Sequence, residues 1–390
     1  MKINIPIAKV DLNKYEINSV LEPLKNGWLV QGPKVKEFEK KWSNFTNSKF
    51  SIAVTSCTSA LQLSLIALGF KPGDEAIVPA FTWISTANVV EQLGGKVIFC
   101  DISLDSFNID HQQIEKKITS KTKFIIPVHL FGFPADMSEI LKIAKKFNLK
   151  IVEDAACGFG SKIHEKHVGL FGDAGCFSFH PRKSITTGEG GMITTQSPEI
   201  AERLCRLRDH GATLTDLQRH LGPKPYLLSD HSDAGYNQRM TDIQGALGSE
   251  QMNRANSILN KRQIIANKYI NKLKNIDWLI LPIKKEGFIH SFQSFACLFK
   301  PKDLSFKSLN KIKNLRNSFM DKLLKRGIST RPATHSVIDL SYYKKNYKID
   351  PKNFPNTTFA ANASISLPLY NKLKDSEINF ITEEIKKGYE

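Results

Sequence analysis

Cysteine is sparse in this 390-residue chain, and its six copies are scattered at positions 57, 100, 157, 176, 205 and 297. None has CxxC spacing, which argues against a structural zinc site or a disulfide framework and suits a reducing compartment. No metal site is expected. Acidic residues are in deficit: 38 Asp plus Glu stand against 55 Lys plus Arg, a formal net charge of +17. That surplus alone would favour a basic nucleic-acid-binding regulator. Zinc-finger spacing and an RNA-recognition aromatic string are both absent, so no nucleic-acid partner is expected. Many of the basic residues fall in lysine-rich segments such as 302–326, among apolar residues at helical spacing, as on a solvated helix face. Residues 1–16 lack the apolar core of a signal peptide. The one long uncharged stretch, 50–70, has Thr55-Ser56-Cys57-Thr58-Ser59 at its centre and is too polar to span a membrane. There is no internal repeat and no low-complexity run. A cytoplasmic protein without membrane insertion is expected, with about two domains.

What the chain does have is alternation. Residues 50–54, 76–78, 97–101, 124–128 and 150–153 read as strands. Residues 60–68, 85–93, 109–118 and 136–147 read as helices between them. Strands alternating with helices predict an α/β fold with a mostly parallel, mixed sheet. Beyond it, 251–275 reads as one long amphipathic helix. Short strands follow, with helices over 315–326 and 375–387, and predict a smaller α+β unit. The expected division is a large domain over 1–250 and a small one over 251–390. Ligands in such sheets bind beyond the carboxyl ends of the strands, which is where Asp154 falls.

The most informative stretch is Cys176–Thr195, CFSFHPRKSITTGEGGMITT. β-branched residues at its ends and clustered glycines predict strand, loop, glycine-rich turn and strand. Lys183 then lies on a loop at the rim of a packed core. Most lysines are solvated surface charges. One that is partly buried can act as a nucleophile and form a Schiff base with a carbonyl. Two further sites have two readings each. Thr55–Ser59 opens a helix after a strand, which makes either a phosphate site or a plain Ser/Thr N-cap. Trp83, at a strand-to-helix junction, reads as core or as a flat stacking surface.

The string FSFHPRKSITTGEGG resembles the active-site segment of the DegT/DnrJ/EryC1/StrS family of sugar-nucleotide aminotransferases, which depend on pyridoxal 5′-phosphate (PLP). The resemblance runs from Gly27-Trp28 to Leu367-Pro368-Leu369-Tyr370 and includes Gly235-Tyr236-Asn237-Gln238-Arg239-Met240-Thr241-Asp242. It implies a fold-type I PLP-dependent transferase. Lys183 would hold PLP and move protons, and Asp154 would pair with the ring nitrogen. Trp83 would stack on the ring. Thr58, Ser59 and Ser178 would meet the phosphate, together with Asn237 from the second chain of a homodimer with shared active sites. The substrates implied are a nucleotide-linked keto-deoxysugar and an amino donor, glutamate. Arg331 and His335 are candidates for the sugar or diphosphate, with surface or structural roles as the plain alternative. Two departures stand out: Cys57 replaces a glycine of the phosphate turn, and Cys157 replaces a glutamine near the cofactor's O3′. A dehydratase of the same family is the nearest rival, but it has histidine where this chain has Lys183.

Overall fold

The computed structural model describes residues 4–214, 218, 222, 226–301 and 308–389. The start of the lysine-rich segment expected from 302, and part of the polar connection expected over 221–232, lie outside the described residues.

Seven strands build the main sheet. In chain order they are β1 (Phe50–Val54), β2 (Glu75–Pro79), β3 (Lys96–Cys100), β4 (Thr122–Ile125), β5 (Lys150–Asp154), β6 (Ala174–Ser178) and β7 (Gly191–Thr195). They lie side by side in the order β1-β7-β6-β5-β4-β2-β3. The pairs from β6 through β5, β4 and β2 to β3 are all parallel. β7 alone runs against its neighbours, with Met192 opposite both Ala53 and Phe177.

Helices cover the sheet. After two short helices, α1 (Lys14–Ser19) and α2 (Leu21–Asn26), they are α3 (Pro33–Thr46), α4 (Cys57–Ala67), α5 (Ser85–Gln92), α6 (Met137–Phe147) and α7 (Pro198–Arg208). The pleat divides the strand residues between two faces. Val152 joins Leu61, Val78 and Leu204, whereas its neighbour Ile151 joins Ile77, Ile125 and Ile140. Burial on both faces explains the nearly continuous apolar runs of these strands. Under α3 the Trp42 ring lies 5.0 to 5.2 Å from those of Phe177, Phe179 and Phe159. That aromatic cluster packs beneath the loop that carries Lys183.

Three local expectations change. The helix expected over 109–118 is a single turn, His111–Ile114, followed by a 3₁₀ turn, Glu115–Lys117; of these two turns only Ile114 is buried. The helix expected over 251–275 is α9 (Ala255–Leu273), and residues 251–252 instead end a separate helix, α8 (Asp242–Met252). The break falls at Arg254, whose guanidinium donates to Glu16 at 2.5 Å and to Asp11 at 3.1 Å. Helical spacing of the apolar residues of α8 would turn Ile243, Ala246 and Leu247 inward; Ala246 is buried, but Ile243 and Leu247 are half-buried, while Gly245 and Gly248 are buried. A Cβ on Gly245 would lie 2.6 Å from the Val35 amide, and one on Gly248 would lie 2.5 Å from the Phe38 ring. Close approach of α3 therefore sets the inward face of α8.

A second core lies under a three-stranded antiparallel sheet of β8 (Leu279–Ile280), β9 (Phe295–Phe299) and β10 (Ser364–Leu367). α9, α10 (Leu309–Lys325), α11 (Pro355–Ala363) and α12 (Asp375–Lys386) supply Tyr269, Phe319, Phe359 and Ile381 to it. Ile5 joins this core, and its amide donates to the Gly327 carbonyl at 2.7 Å. Phe81, Phe107 and Phe131 also belong to it, so packing is continuous between the two sheets.

Candidate active site

β6 delivers the chain into the loop 179–190, and β7 takes it back. Two threonines shape the loop. Thr186 Oγ1 donates to the Phe179 carbonyl at 2.6 Å and accepts from the Gly188 amide at 3.0 Å. Thr187 Oγ1 donates to the Glu189 carbonyl at 2.6 Å. Gly188 has φ of +83°, the left-handed region that glycine enters without strain. From the far side, Gln251 accepts from the Thr186 amide at 3.1 Å and donates to its carbonyl. So α8 fixes the loop that holds the lysine.

Lys183 is half-buried, and its Nζ donates to Cys157 Sγ at 3.2 Å. No carboxylate pairs with it among the described residues. Asp154, the last residue of β5, is 5% exposed. Its Oδ2 accepts from Thr86 Oγ1 at 2.7 Å and its Oδ1 from the Ala156 amide at 3.1 Å. Thr86 Oγ1 also lies 3.1 Å from the Trp83 carbonyl. A threonine in the first turn of α5 thus ties Trp83 to Asp154.

The third part is the opening of α4. Ser56 caps it, its hydroxyl accepting from the Ser59 amide at 3.1 Å. Thr58 donates to Ser85 Oγ at 3.0 Å, and Ser59 Oγ lies 2.9 Å from Thr55 Oγ1. The amides of Cys57 and Thr58 are left for an outside acceptor, as at any helix start. Gly191 of β7 lets this turn approach: a Cβ there would lie 2.5 Å from the Ser56 carbonyl. Ser178 pairs with Gly191 across the β6–β7 ladder, which puts its hydroxyl near the same end of the sheet. Cys57 packs at the hub. Burial first, and then the Asp154 and Cys176 charges, push its thiol well above the usual range, with Lys183 pulling the other way.

Trp83 is 53% exposed, which sets aside the core reading of its position. Its indole meets the His335 ring edge-on at 5.4 Å, because His335 pairs with Thr82 in a two-residue ladder. Arg331 is half-buried and lines one small crevice with Arg182, Gln293 and Ser366. Asn237 is exposed, and among the described residues no hydrogen bond joins it to Lys183. Its neighbour Gln238 accepts from the Thr55 amide at 3.1 Å, directly before the Ser56 cap.

Several contributors were not singled out in the sequence. Thr86 and Gln251 are two. The His129–Glu153 pair is a third: both side chains are wholly buried, with Nε2 2.8 Å from Oε2. Glu153 also accepts from the amides of Gly169, Phe171 and Gly172, each at 2.7 Å. The Ala135 amide donates to His129 Nδ1, so the ring's proton sits on Nε2. Burial raises the Glu153 carboxyl, but the His129 bond and the backbone amides outweigh it, and the group is held below its usual range. Position next to Asp154 was the only available signal for this pair.

The DegT/DnrJ/EryC1/StrS aminotransferase family profile matches residues 10–386. The chain belongs to that family. Among its relatives, SpsC of Bacillus subtilis (strain 168), a spore coat polysaccharide biosynthesis protein, is 33% identical over 382 residues, 98% of this chain and 96% of SpsC. GDP-perosamine synthase of Escherichia coli O157:H7 is 33% identical over 387 residues, 99% of this chain and 98% of the synthase. Helicobacter pylori PseC, an aminotransferase involved in the biosynthesis of pseudoaminic acid, superposes with a TM-score of 0.89 at 27% identity over 98% of each chain. The E. coli GDP-4-keto-6-deoxy-D-mannose-3-dehydratase, solved with bound hydrated PLP, superposes with a TM-score of 0.83 at 26% identity, over 98% of this chain and 100% of the other. Among the described residues no helix is long and apolar enough to cross a membrane.

Proposed function

We propose that this family member is a PLP-dependent aminotransferase that moves an amino group from L-glutamate to a keto group on a nucleotide-linked deoxysugar. One observation carries the reading. A half-buried lysine without an acidic partner lies in the same site as a buried carboxylate at the end of a parallel strand. The residues present fit PLP. Lys183 offers a free amine, Asp154 a buried acceptor, Trp83 an exposed flat ring, and the start of α4 offers unpaired amides with the hydroxyls of Thr58 and Ser59. Ser178 is expected beside that phosphate, and Asn237 of a second chain reaches it in a homodimer. Bound PLP supplies the electron sink that stabilises a carbanion at the amino-bearing carbon.

The chain's own groups do the rest. Lys183 Nζ accepts the proton from the amino-bearing carbon of the donor and later returns one to the acceptor carbon. Asp154 keeps a proton on the ring nitrogen, and Thr86 holds the carboxylate in place for that task. Trp83 orients the ring by stacking. Cys157 stands beside Lys183 near the expected O3′ position, where a thiol bonds more weakly than an amide. His335 lies against the exposed Trp83 indole and is our candidate for a contact with the sugar. We assign the reaction to cytoplasmic synthesis of precursors for cell-surface polysaccharide or a related glycan, with residues 1–250 and 251–390 as the two domains.

The test is a product assay. PLP-loaded protein, L-glutamate and a panel of nucleotide-linked keto sugars should yield 2-oxoglutarate and an amino sugar. A deoxy-keto sugar without nitrogen would instead mark a dehydratase. Borohydride should fix the cofactor to the peptide containing Lys183, and labelling of a different lysine would remove the assignment.

A further inference from the structure

Cys157 and Lys183 are 26 positions apart in the chain, and Nζ lies 3.2 Å from Sγ. That is the separation of a near-attack pair (about 3–3.5 Å). Both residues sit on fixed backbone. Cys157 follows β5 in a turn that Gly158 closes, its amide donating to the Ala155 carbonyl at 2.7 Å. Ser291 Oγ donates to the Cys157 carbonyl at 3.4 Å. On the other side the Lys183 amide donates to the His180 carbonyl at 2.8 Å, and Gln293 donates to the Arg182 carbonyl at 2.9 Å. An amine and a thiol held this way meet at a high effective concentration.

The surroundings favour oxidation at this cysteine. Cys157 is half-buried, whereas Cys57, Cys100, Cys176 and Cys297 are buried. Burial pushes the thiols of those four and of Cys205 above their usual range, which keeps them in the inert protonated form. Cys157 Sγ stands among cations. Lys183 touches it, and Arg331 and Arg262 lie close enough for its charge to act on them. Arg262 is buried and donates to the carbonyls of Phe292 at 2.9 Å and Gln293 at 2.5 Å, so it brings its charge there without an acidic partner. A partly exposed thiol in an electropositive setting is the kind that peroxide attacks. The nearest nucleophile to the oxidised sulfur is then the Lys183 amine, not a second thiol.

We infer that Cys157 and Lys183 form a modification site, where hydrogen peroxide links the sulfur to the lysine nitrogen as a sulfenamide. The Cys157 sulfur first attacks one peroxide oxygen. An S–O bond forms, the O–O bond breaks, and the released hydroxide leaves as water with the thiol proton. The neutral Lys183 amine then attacks the sulfur of the resulting sulfenic acid. An S–N bond forms, the S–O bond breaks, and hydroxide leaves as water with a proton from the nitrogen. One peroxide is reduced to two waters, and the sulfur is oxidised by two electrons. A backbone nitrogen condenses with sulfenic acids in the same way. A free thiol reverses the link by attacking the sulfur and releasing the amine, so the link is transient in a reducing compartment. Its bearing on catalysis rests on the aminotransferase reading above. A capped Lys183 cannot take up PLP, and a Lys183 already joined to PLP cannot be capped.

The test starts from the cofactor-free full chain and an equimolar amount of hydrogen peroxide. Intact-mass measurement should show the loss of two hydrogens. A digest should contain the Cys157 and Lys183 peptides joined, and dithiothreitol should separate them. Cys157→Ser and Lys183→Arg should each abolish the joined peptide. Lys183→Arg should also leave a Cys157 sulfenic acid that dimedone labels, at least roughly tenfold more than in wild type, where the adjacent amine outcompetes the reagent. A Cys57–Cys157 disulfide, which also costs two hydrogens, would overturn the assignment. So would oxidation of Cys157 to sulfinic acid with Lys183 unmodified. The wild-type digest decides between these products without any variant, so a substitution that fails to fold does not spare the proposal. Peroxide-treated wild type should then develop no visible band with PLP until dithiothreitol is added, and protein loaded with PLP beforehand should give little joined peptide. If untreated protein takes up no PLP at Lys183, the aminotransferase reading fails, and the digest still decides whether the sulfur and the nitrogen join.

Discussion

Glu153→Gln changes one atom's chemistry at a site that solvent does not reach. In the wild-type protein Oε1 accepts from the Phe171 and Gly172 amides, and Oε2 accepts from the Gly169 amide and His129 Nε2. Glutamine keeps the shape but replaces one oxygen with a donor. Whichever way the amide turns, two N–H groups then face an NH₂. His129 cannot relieve this by moving its proton, because its Nδ1 already accepts from the Ala135 amide. Two hydrogen bonds to a charged acceptor are lost, each worth about 1.5–3 kcal/mol, so the expected destabilisation is about 3–6 kcal/mol. The side chain is wholly buried, so solvent screening gives no discount. The measurement is the urea midpoint of the cofactor-free protein at fixed concentration. The pH dependence gives a second check. Glu153 is held below its usual range in the folded state, so its contribution is present above the unfolded value of 4.5 and lost as pH falls. The variant lacks that contribution, and its acid limb should be shallower. A loss under about 1 kcal/mol would refute the reasoning, since it would mean the four donors find other partners.

Two other outcomes follow from the same geometry. Burial holds His167 down to about 4 and His290 to about 3, against an ordinary 6.5. The unfolded chain therefore takes up two more protons than the folded one between those limits. Stability should fall as pH drops below 6.5, with a slope near 2.7 kcal/mol per pH unit (roughly, for two protons); a flat urea midpoint from pH 6.5 to 4.5 would contradict this. Shared active sites predict complementation. Asn237→Asp and Lys183→Ala homodimers should each be nearly inactive, and random exchange should leave about a quarter of all sites intact. No activity from demonstrably mixed dimers would show that Asn237 does not act across the interface.

The strands were legible because of where they lie. β1 matches its expected bounds, and the other strands of the main sheet shift by one to three residues at an end. Apolar runs buried on both faces leave a signal in local sequence. Long-range contacts leave none. The break between α8 and α9 depends on Arg254 meeting Asp11 and Glu16, about 240 positions earlier in the chain. The inward face of α8 depends on glycines admitting Val35 and Phe38. A rule that sends isoleucine and leucine inward has no way to anticipate a neighbouring helix that needs empty space.

The site divides along the same line. Lys183 and Asp154 stand out in the sequence because each sits in a long, unusual string. Thr86 does not, because a threonine in a helix's first turn has an ordinary local explanation; only its 2.7 Å bond to Asp154 gives it a role. The arginine crevice was harder still to see. Its defining property is two guanidiniums with no acidic partner among the described residues, and absence in space cannot be read from a chain with 38 acidic residues spread along it. Cys157 shows the opposite case. In sequence it was a departure from the family pattern, a missing amide near O3′. In the structure its sulfur is the nearest partner of Lys183 Nζ and lies close enough to Arg331 to raise that group's pKa. A thiol is small and a weak acceptor, so it neither neutralises the lysine nor fills the space a glutamine would occupy.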